Sequence, residues 1–133
     1  GTTYFYVVRA TNSAGASANS AQASATTPAP PAAPSALTAT AAGTSQINLT
    51  WTDNSSNETN FVVAQSTVSG GPYTDIATLG ANVTSYSATG LKASTTYFFV
   101  VRATNGAGSS SNSAQASATT AAPPAASLKI NEA

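Results

Sequence analysis

Residues 95–120 read TTYFFVVRATNGAGSSSNSAQASATT, and residues 2–27 read TTYFYVVRATNSAGASANSAQASATT. The two segments differ only at Tyr6/Phe99, Ser13/Gly106, Ala16/Ser109 and Ala18/Ser111, at an offset of 93 residues. In the second copy Tyr97, Phe99, Val101 and Ala103 alternate with Phe98, Val100 and Arg102, the period of a strand with one face inward. Asn105-Gly106-Ala107-Gly108 is turn chemistry, because glycine reaches positive φ at little cost. The Ala/Ser/Thr run beyond it reads as the returning strand. A hairpin recurring at the spacing of one small β-sandwich plus a linker identifies a tandem array. The chain is expected to begin late in one unit, with its true N-terminus upstream, to run through a second unit, and to stop just inside a further module.

Working outward from the second copy, the period remains two and no window holds a helical stripe. Ile47, Leu49 and Trp51 alternate with Asn48 and Thr50 within Gln46 to Thr52. Phe61 and Val63 share one face of the next strand, after the polar turn Asp53 to Asn60. Gly70-Gly71-Pro72 turns into a strand over Tyr73 to Leu79, Ala81 to Thr84 turns again, and Tyr86 opens a short strand. Seven short strands at this spacing predict an all-β, antiparallel sandwich. Thr26 to Pro34 (TTPAPPAAP) and Thr119 to Ala126 (TTAAPPAA) read as linkers. Proline fixes φ and removes a donor, so both are either semi-rigid polyproline-like spacers or plain disordered tethers. The expected division is therefore a hairpin over 1–27, a linker over 28–33, a complete domain over 34–120, a linker over 121–126 and a first strand over 127–133.

Composition narrows the function classes. Of the 133 residues only 6% are charged, four basic against four acidic, and Cys, His and Met are absent. Arg9, Lys92, Arg102 and Lys129 form no patch able to displace counterions from phosphates, which argues against nucleic acid as a partner. No apolar run reaches the length of a spanning helix, so membrane insertion is not expected, and no signal peptide opens the chain. The absence of Cys removes disulfide and thiol chemistry and fits a secreted bacterial protein stabilised by packing. The large side chains cluster between Leu37 and Val101, enough for one core of about 100 residues.

These residues together resemble the fibronectin type III family. Pro34, Leu37 and Ala39 stand where the family's first strand has them, Trp51 closes the second strand within INLTW, and Phe61 opens the third. Leu91, Tyr97, Phe99, Val101, Ala103, Asn105 and Gly108 match the sixth strand and the turn after it. The resemblance covers about residues 34–120, and residues 2–27 match the last two strands alone. It implies an immunoglobulin-like sandwich of seven antiparallel strands, preceded by the last two strands of another such unit. It also implies a core of Ile47, Leu49, Trp51, Phe61, Leu91, Tyr97, Phe99 and Val101, with Leu91 and Tyr97 forming a tyrosine corner whose phenol bonds backbone upstream. Trp51 would bury on the order of 200 Å² between the sheets. The turn at 105–108 lacks the Arg-Gly-Asp of integrin-binding modules, so that partner is not implied. The Ala/Ser/Thr-rich style, with WTDNS and SYSATGL, is similar to spacer modules of bacterial secreted enzymes and surface proteins. Lys129-Ile130-Asn131-Glu132 resembles the first strand of lamin-tail-like domains; a strand of another β module is the alternative.

Catalysis needs a base, a nucleophile or a metal set within hydrogen-bond reach. The candidates reduce to Asp53, Glu58, Asp75 and Glu132. Asp53-Asn54-Ser55-Ser56-Asn57-Glu58 offers a carboxylate pair or oxygen ligands for Ca²⁺, but these are also common turn formers that bond their own backbone. The expectation is a non-enzyme without cofactor or metal. Asn48, Asn54, Asn57 and Asn82 each satisfy Asn-x-Ser/Thr, and Thr26, Thr27, Thr119 and Thr120 lie in or beside the proline-rich stretches, as glycan acceptors or as plain polar surface. Phe5, Phe98 and Tyr73 are the aromatics available for a carbohydrate platform.

The first hairpin has an apolar face (Tyr4, Tyr6, Val8, with Ala10) and no strands in the chain to cover it. Either the sequence is a window on a longer array, or the face docks on a neighbouring copy to build a fibre. The expected role is a non-catalytic spacer or adhesion-type repeat of a secreted or cell-surface bacterial protein, whose partners are neighbouring β-sandwich domains or copies of itself. An accessory module of a polysaccharide-degrading enzyme, or a module binding protein or carbohydrate, is the alternative.

Overall fold

The computed structural model describes residues 1–124. The strand expected over 127–133, with Glu132, lies outside them. Among the described residues twelve strands run in chain order: β1 (Thr3–Tyr6), β2 (Thr11–Asn12), β3 (Gly15–Ala16), β4 (Ala23–Thr26), β5 (Ser35–Ala41), β6 (Ile47–Thr52), β7 (Asn60–Ser66), β8 (Thr74–Gly80), β9 (Ser85–Ala88), β10 (Thr96–Asn105), β11 (Gly108–Ser109) and β12 (Ala116–Thr119). From β5 onward they form two antiparallel sheets, one ordered β5-β6-β9 and the other β8-β7-β10 with β11 and β12 both on the far edge of β10. This is a seven-strand sandwich whose last strand is split in two.

The split has a chemical cause. Between β11 and β12 the ladder is carried by two serines. Ser110 N–H donates to the Ala103 carbonyl at 2.7 Å, and its hydroxyl accepts from Ala103 N–H at 2.9 Å. Ser113 does the same with Val101, at 2.8 Å and 3.0 Å. Each hydroxyl stands in for a strand carbonyl, so β10 keeps its donors satisfied without a regular partner. Nothing in the Ala/Ser/Thr run of the sequence marks these two positions.

The inner faces follow the predicted alternation. Ile47, Leu49 and Trp51 on β6 and Phe61 and Val63 on β7 meet Tyr97, Phe99, Val101 and Ala103 of β10 in one buried cluster, with Leu91 half-buried against it. Trp51 and Phe61 pack with ring centroids 5.8 Å apart, and Tyr97 and Phe99 with centroids 6.5 Å apart. Trp51 Nε1 is buried without a hydrogen-bond partner among the described residues. The outer face differs from the alternation reading. Val100 points outward yet is only 3% exposed, and Val62 and Ala64 on β7 are buried too. Val100 pairs with Ala64, and the bidentate Arg102–Asp75 pair bridges β10 to β8 across β7, with both N···O distances at 2.8 Å. The cover comes from the domain's own side chains, not from a neighbouring module.

Two local features close the fold. The Tyr97 phenol accepts from Lys92 N–H at 3.0 Å, so the loop before β10 is tied to the core by the ring's polar end. Thr120 is buried and takes the opposite side of that loop, donating to the Lys92 carbonyl at 2.6 Å and accepting from Thr95 N–H at 3.1 Å. On the edge strand β5, Ala36 adopts φ 54°, where the register against β6 shifts between Ser35 and Thr38. Left-handed alanine is unfavourable, and the kink it produces interrupts an edge that would otherwise be free to pair with another chain.

Replacing Trp51 by Ala is expected to lower stability by about 3–5 kcal/mol in urea unfolding followed by circular dichroism. Trp51→Phe, which also removes the unpartnered N–H, is expected to cost less. Tyr97→Phe leaves Lys92 N–H without its acceptor and is expected to cost about 1–3 kcal/mol in the same measurement. A change below about 0.5 kcal/mol would show that the phenol bond does not hold the loop.

Candidate functional site

The polar turn joining β6 to β7 carries two of the candidate carboxylates. Asp53 Oδ1 accepts from Ser55 N–H at 2.9 Å, which is the geometry of a turn former bonding its own backbone. Glu58 is buried; its Oε1 accepts from the Ser55 hydroxyl at 2.8 Å and its Oε2 from Asn82 N–H at 3.2 Å. The bond from Ser55 is the main reason its carboxyl titrates below the ordinary glutamate range. Both carboxylates therefore serve as acceptors that tie this turn to itself and to the β8–β9 turn. Among the described residues no group of three or more His, Cys, Asp or Glu gathers to hold a metal ion.

The third candidate, Asp75, is engaged by Arg102, whose guanidinium holds its carboxyl below the usual range and is itself raised in turn. Of the aromatic candidates, Tyr73 is occupied as well. The Tyr73 hydroxyl donates to Gln115 Oε1, which also accepts from Gly70 N–H at 2.7 Å, while Gln115 Nε2 reaches Ser69 Oγ at 3.2 Å. Gln115, unremarked in the sequence, thus clamps the β7–β8 turn onto the segment before β12. Phe98 is half-buried, and the only Trp is in the core. Phe5 lies exposed on the first hairpin.

At the end of the sandwich opposite the β7–β8 turn, the turns after β6 and β10 converge on the residues preceding β5. Asn57 Nδ2 donates to the Ala29 carbonyl at 3.1 Å, and Asn105 Nδ2 donates to the same oxygen at 2.9 Å. Asn54 Nδ2 reaches the Ala33 carbonyl at 3.0 Å and Ser35 Oγ at 2.9 Å. Two of the Asn-x-Ser/Thr asparagines, Asn54 and Asn57, thus have their amides engaged. Asn48 Oδ1 accepts from Gln46 Nε2 and Ser87 Oγ on the exposed face of β6, and Asn82 sits at φ 66° in a turn.

The first hairpin repeats the hydrogen bonding of the second. Ser17 and Ser20 pair with Ala10 and Val8 through both N–H and hydroxyl, as Ser110 and Ser113 do with Ala103 and Val101. Thr3 and Thr26 share a 2.7 Å hydroxyl bond, as do Thr96 and Thr119. Its apolar side chains lie open, Tyr4 at 50%, Tyr6 at 60% and Val8 at 73% exposure, beside Phe5 and Val7.

Two of the engaged carboxylates bear on the pH response. Glu58 and Asp75 both titrate lower in the folded chain than their ordinary values, so the unfolded chain binds more protons in acid. Their contribution to stability is present above the ordinary carboxylate range and is lost as pH falls through the depressed folded values. Stability measured by urea midpoint is expected to decline through that window, and Glu58→Gln with Asp75→Asn is expected to flatten the decline. An unchanged slope in the double variant would show that other groups govern it.

The fibronectin type III domain model matches residues 32–119. A solved Fn3-like protein from Clostridium thermocellum is 33% identical, with a TM-score of 0.59, over 79% of this chain and 98% of its own. Titin domains A168–A170 match at 27% identity and a TM-score of 0.64 over 88% of this chain, which spans 40% of that structure. The chicken CNTN1 FN1–FN3 domains share the fold at 22% identity and a TM-score of 0.63, over 90% of this chain and 41% of theirs. No curated protein matches the chain. Fibronectin type III domains serve as structural and binding modules, generally without catalysis and commonly in tandem. On the match over residues 32–119 and the sandwich that carries it, the chain belongs to the fibronectin type III family.

Proposed function

We propose that the chain is a stretch of a non-catalytic spacer and adhesion-type array in a secreted or cell-surface multi-domain bacterial protein. In this reading residues 1–27 are the closing hairpin of one unit, 28–33 the linker, 34–120 the next unit and 121–126 the linker that follows. The observation that carries it is the recurrence, 93 residues apart, of the same hairpin with the same serine and threonine bonds. The matches to titin and CNTN1, both multi-domain structures, extend over 88% and 90% of the chain, well beyond residues 32–119. The low charge, the absence of Cys and the 33% identity to a Clostridium thermocellum protein support a bacterial extracellular setting.

A passive role agrees with the use of the polar groups, since Asp53, Glu58, Asp75 and Tyr73 are each held by a partner within the domain. In the array, the open face of Tyr4, Tyr6 and Val8 is covered by the remaining strands of its own unit, as Tyr97, Phe99 and Val101 are covered here. A glycan array probed with the 133-residue chain is expected to show no saturable binding, and a glycan captured with a defined dissociation constant would overturn the spacer reading in favour of a carbohydrate-binding module. The same chain, its hairpin face uncovered, is expected to self-associate in sedimentation velocity, and Tyr4→Ser with Tyr6→Ser is expected to return it to monomer. A monomeric chain with Tyr4 and Tyr6 in place would show that this face needs no cover.

A further inference from the structure

The segment Pro28-Ala29-Pro30-Pro31-Ala32-Ala33-Pro34 has backbone N–H groups only at its three alanines. It therefore cannot be fixed by a strand ladder, and its carbonyls are the handles by which another element can grip it. Asparagine side chains take two of them. The Ala29 carbonyl accepts from Asn57 Nδ2 at 3.1 Å and from Asn105 Nδ2 at 2.9 Å, and the Ala33 carbonyl accepts from Asn54 Nδ2 at 3.0 Å. Asn105 is itself fixed at both ends of its amide. Its Nδ2 also donates to the Asn57 carbonyl at 3.1 Å, and its Oδ1 accepts from Ala107 N–H at 2.8 Å. Packing completes the seat, for Pro31 and Pro34 are buried. Pro30 Cγ lies only 3.6 Å from where a Cβ on Gly108 would stand, and Gly108 has φ 142°, a value that favours glycine.

Within the same chain Asn12 occupies the position equivalent to Asn105. Its Oδ1 makes the same turn bond, to Ala14 N–H at 2.8 Å, but among the described residues its Nδ2 grips no carbonyl. The acceptor half of this asparagine belongs to the turn, and the donor half belongs to the segment in front of the domain. The two uses are separable.

We propose that the turns after β6 and β10 form a receptor for the proline-rich segment that precedes the domain, with Asn57 and Asn105 as its grip. The segment is then a stiff joint that holds its neighbour at a set direction, and is not a free tether. That consequence for an array rests on the spacer reading above; the docking itself does not.

Backbone ¹⁵N relaxation on the full chain tests it. Ala29, Ala32 and Ala33 are expected to show order parameters near those of β6, about 0.85. Asn57→Asp with Asn105→Asp keeps the acceptor for Ala107 N–H and replaces the gripping amide by a carboxylate facing the Ala29 carbonyl. In that variant Ala29 is expected to fall below about 0.6 while Ala107 and β6 are unchanged. Asn12→Asp, the same exchange in the first copy, is expected to leave Ala29 as it was. Should the double variant disturb the core, the wild-type chain still decides: the Asn105 side-chain amide protons must exchange with solvent more slowly than those of Asn12. A mobile Ala29 in the wild type, an Ala29 indifferent to the double substitution, or equal exchange at Asn105 and Asn12 would each overturn the proposal. Those results would leave a spacer with a loose linker, whereas captured glycan would remove the spacer reading and leave the docked segment intact.

Discussion

Burial of the inner face of β10 against Trp51 and Phe61 is the constraint from which the rest of the domain follows. β10 has β7 on one edge and β11 and β12 on the other, and the side chains it points inward fill the space between the sheets. The chain contains its own control. The first hairpin has nearly the same residues and the same hydrogen bonds, yet Tyr4 is 50% exposed where Tyr97 is 6%, and Val8 is 73% exposed where Val101 is wholly buried. Backbone geometry in this hairpin is thus written locally, by the serines, the threonine pair and the glycine turn. Its apolar burial is not, because that depends on strands far away in sequence. Hydrophobic stabilisation scales with the apolar area removed from water, so the local bonds shape the hairpin and the opposing sheet supplies most of the free energy.

With so few charged residues, the domain satisfies its backbone by other means. Hydroxyls and amides take positions that a ladder or a charged cap would otherwise fill. Ser110 and Ser113 replace carbonyls opposite β10, Thr120 closes the loop before it, and Gln115 gathers the β7–β8 turn. Such bonds are individually modest, but an unmade partner in a buried place costs more than the bond contributes. That asymmetry explains why Glu58 can be buried in a chain with almost no charge: Ser55 and Asn82 give its two oxygens donors on opposite sides.

The sandwich was legible in the sequence wherever side chains alternate under a single rule. Ile47, Leu49 and Trp51 on β6 and Tyr97, Phe99 and Val101 on β10 state their own burial by period. Period alone does not decide burial where a second rule intervenes. Val62, Ala64 and Val100 lie on the face that alternation assigns to solvent, yet they are buried, on the face across which Arg102 and Asp75 meet, a contact between residues 27 apart in the chain. The split final strand was invisible for a similar reason, since nothing in a run of Ser and Ala shows which hydroxyls face a neighbouring N–H. Of the candidate site, the residue types in the β6–β7 turn were read correctly as turn formers. What they bind was not, because the donors on Asn54 and Asn57 point toward a proline-rich segment that looks like an independent linker when read alone.

The direction in which these amides point bears on what the domain can do. A recognition surface at the end of a β-sandwich presents loop side chains to solvent, where a partner meets donors and acceptors that are not already matched. Here the loops are turned on their own chain. Asn54, Asn57 and Asn105 hold the preceding segment, and Asp53 and Glu58 accept from Ser55. A ligand arriving at this end would have to break an internal bond for each one it formed, which leaves little net affinity to gain. In the spacer reading proposed above, every bond between the turns and the segment in front of β5 would restrict how a preceding unit swings. An exposed proline-rich chain with unmet carbonyls would be a flexible hinge; with its carbonyls gripped and two of its prolines buried, it becomes part of the domain it leads into.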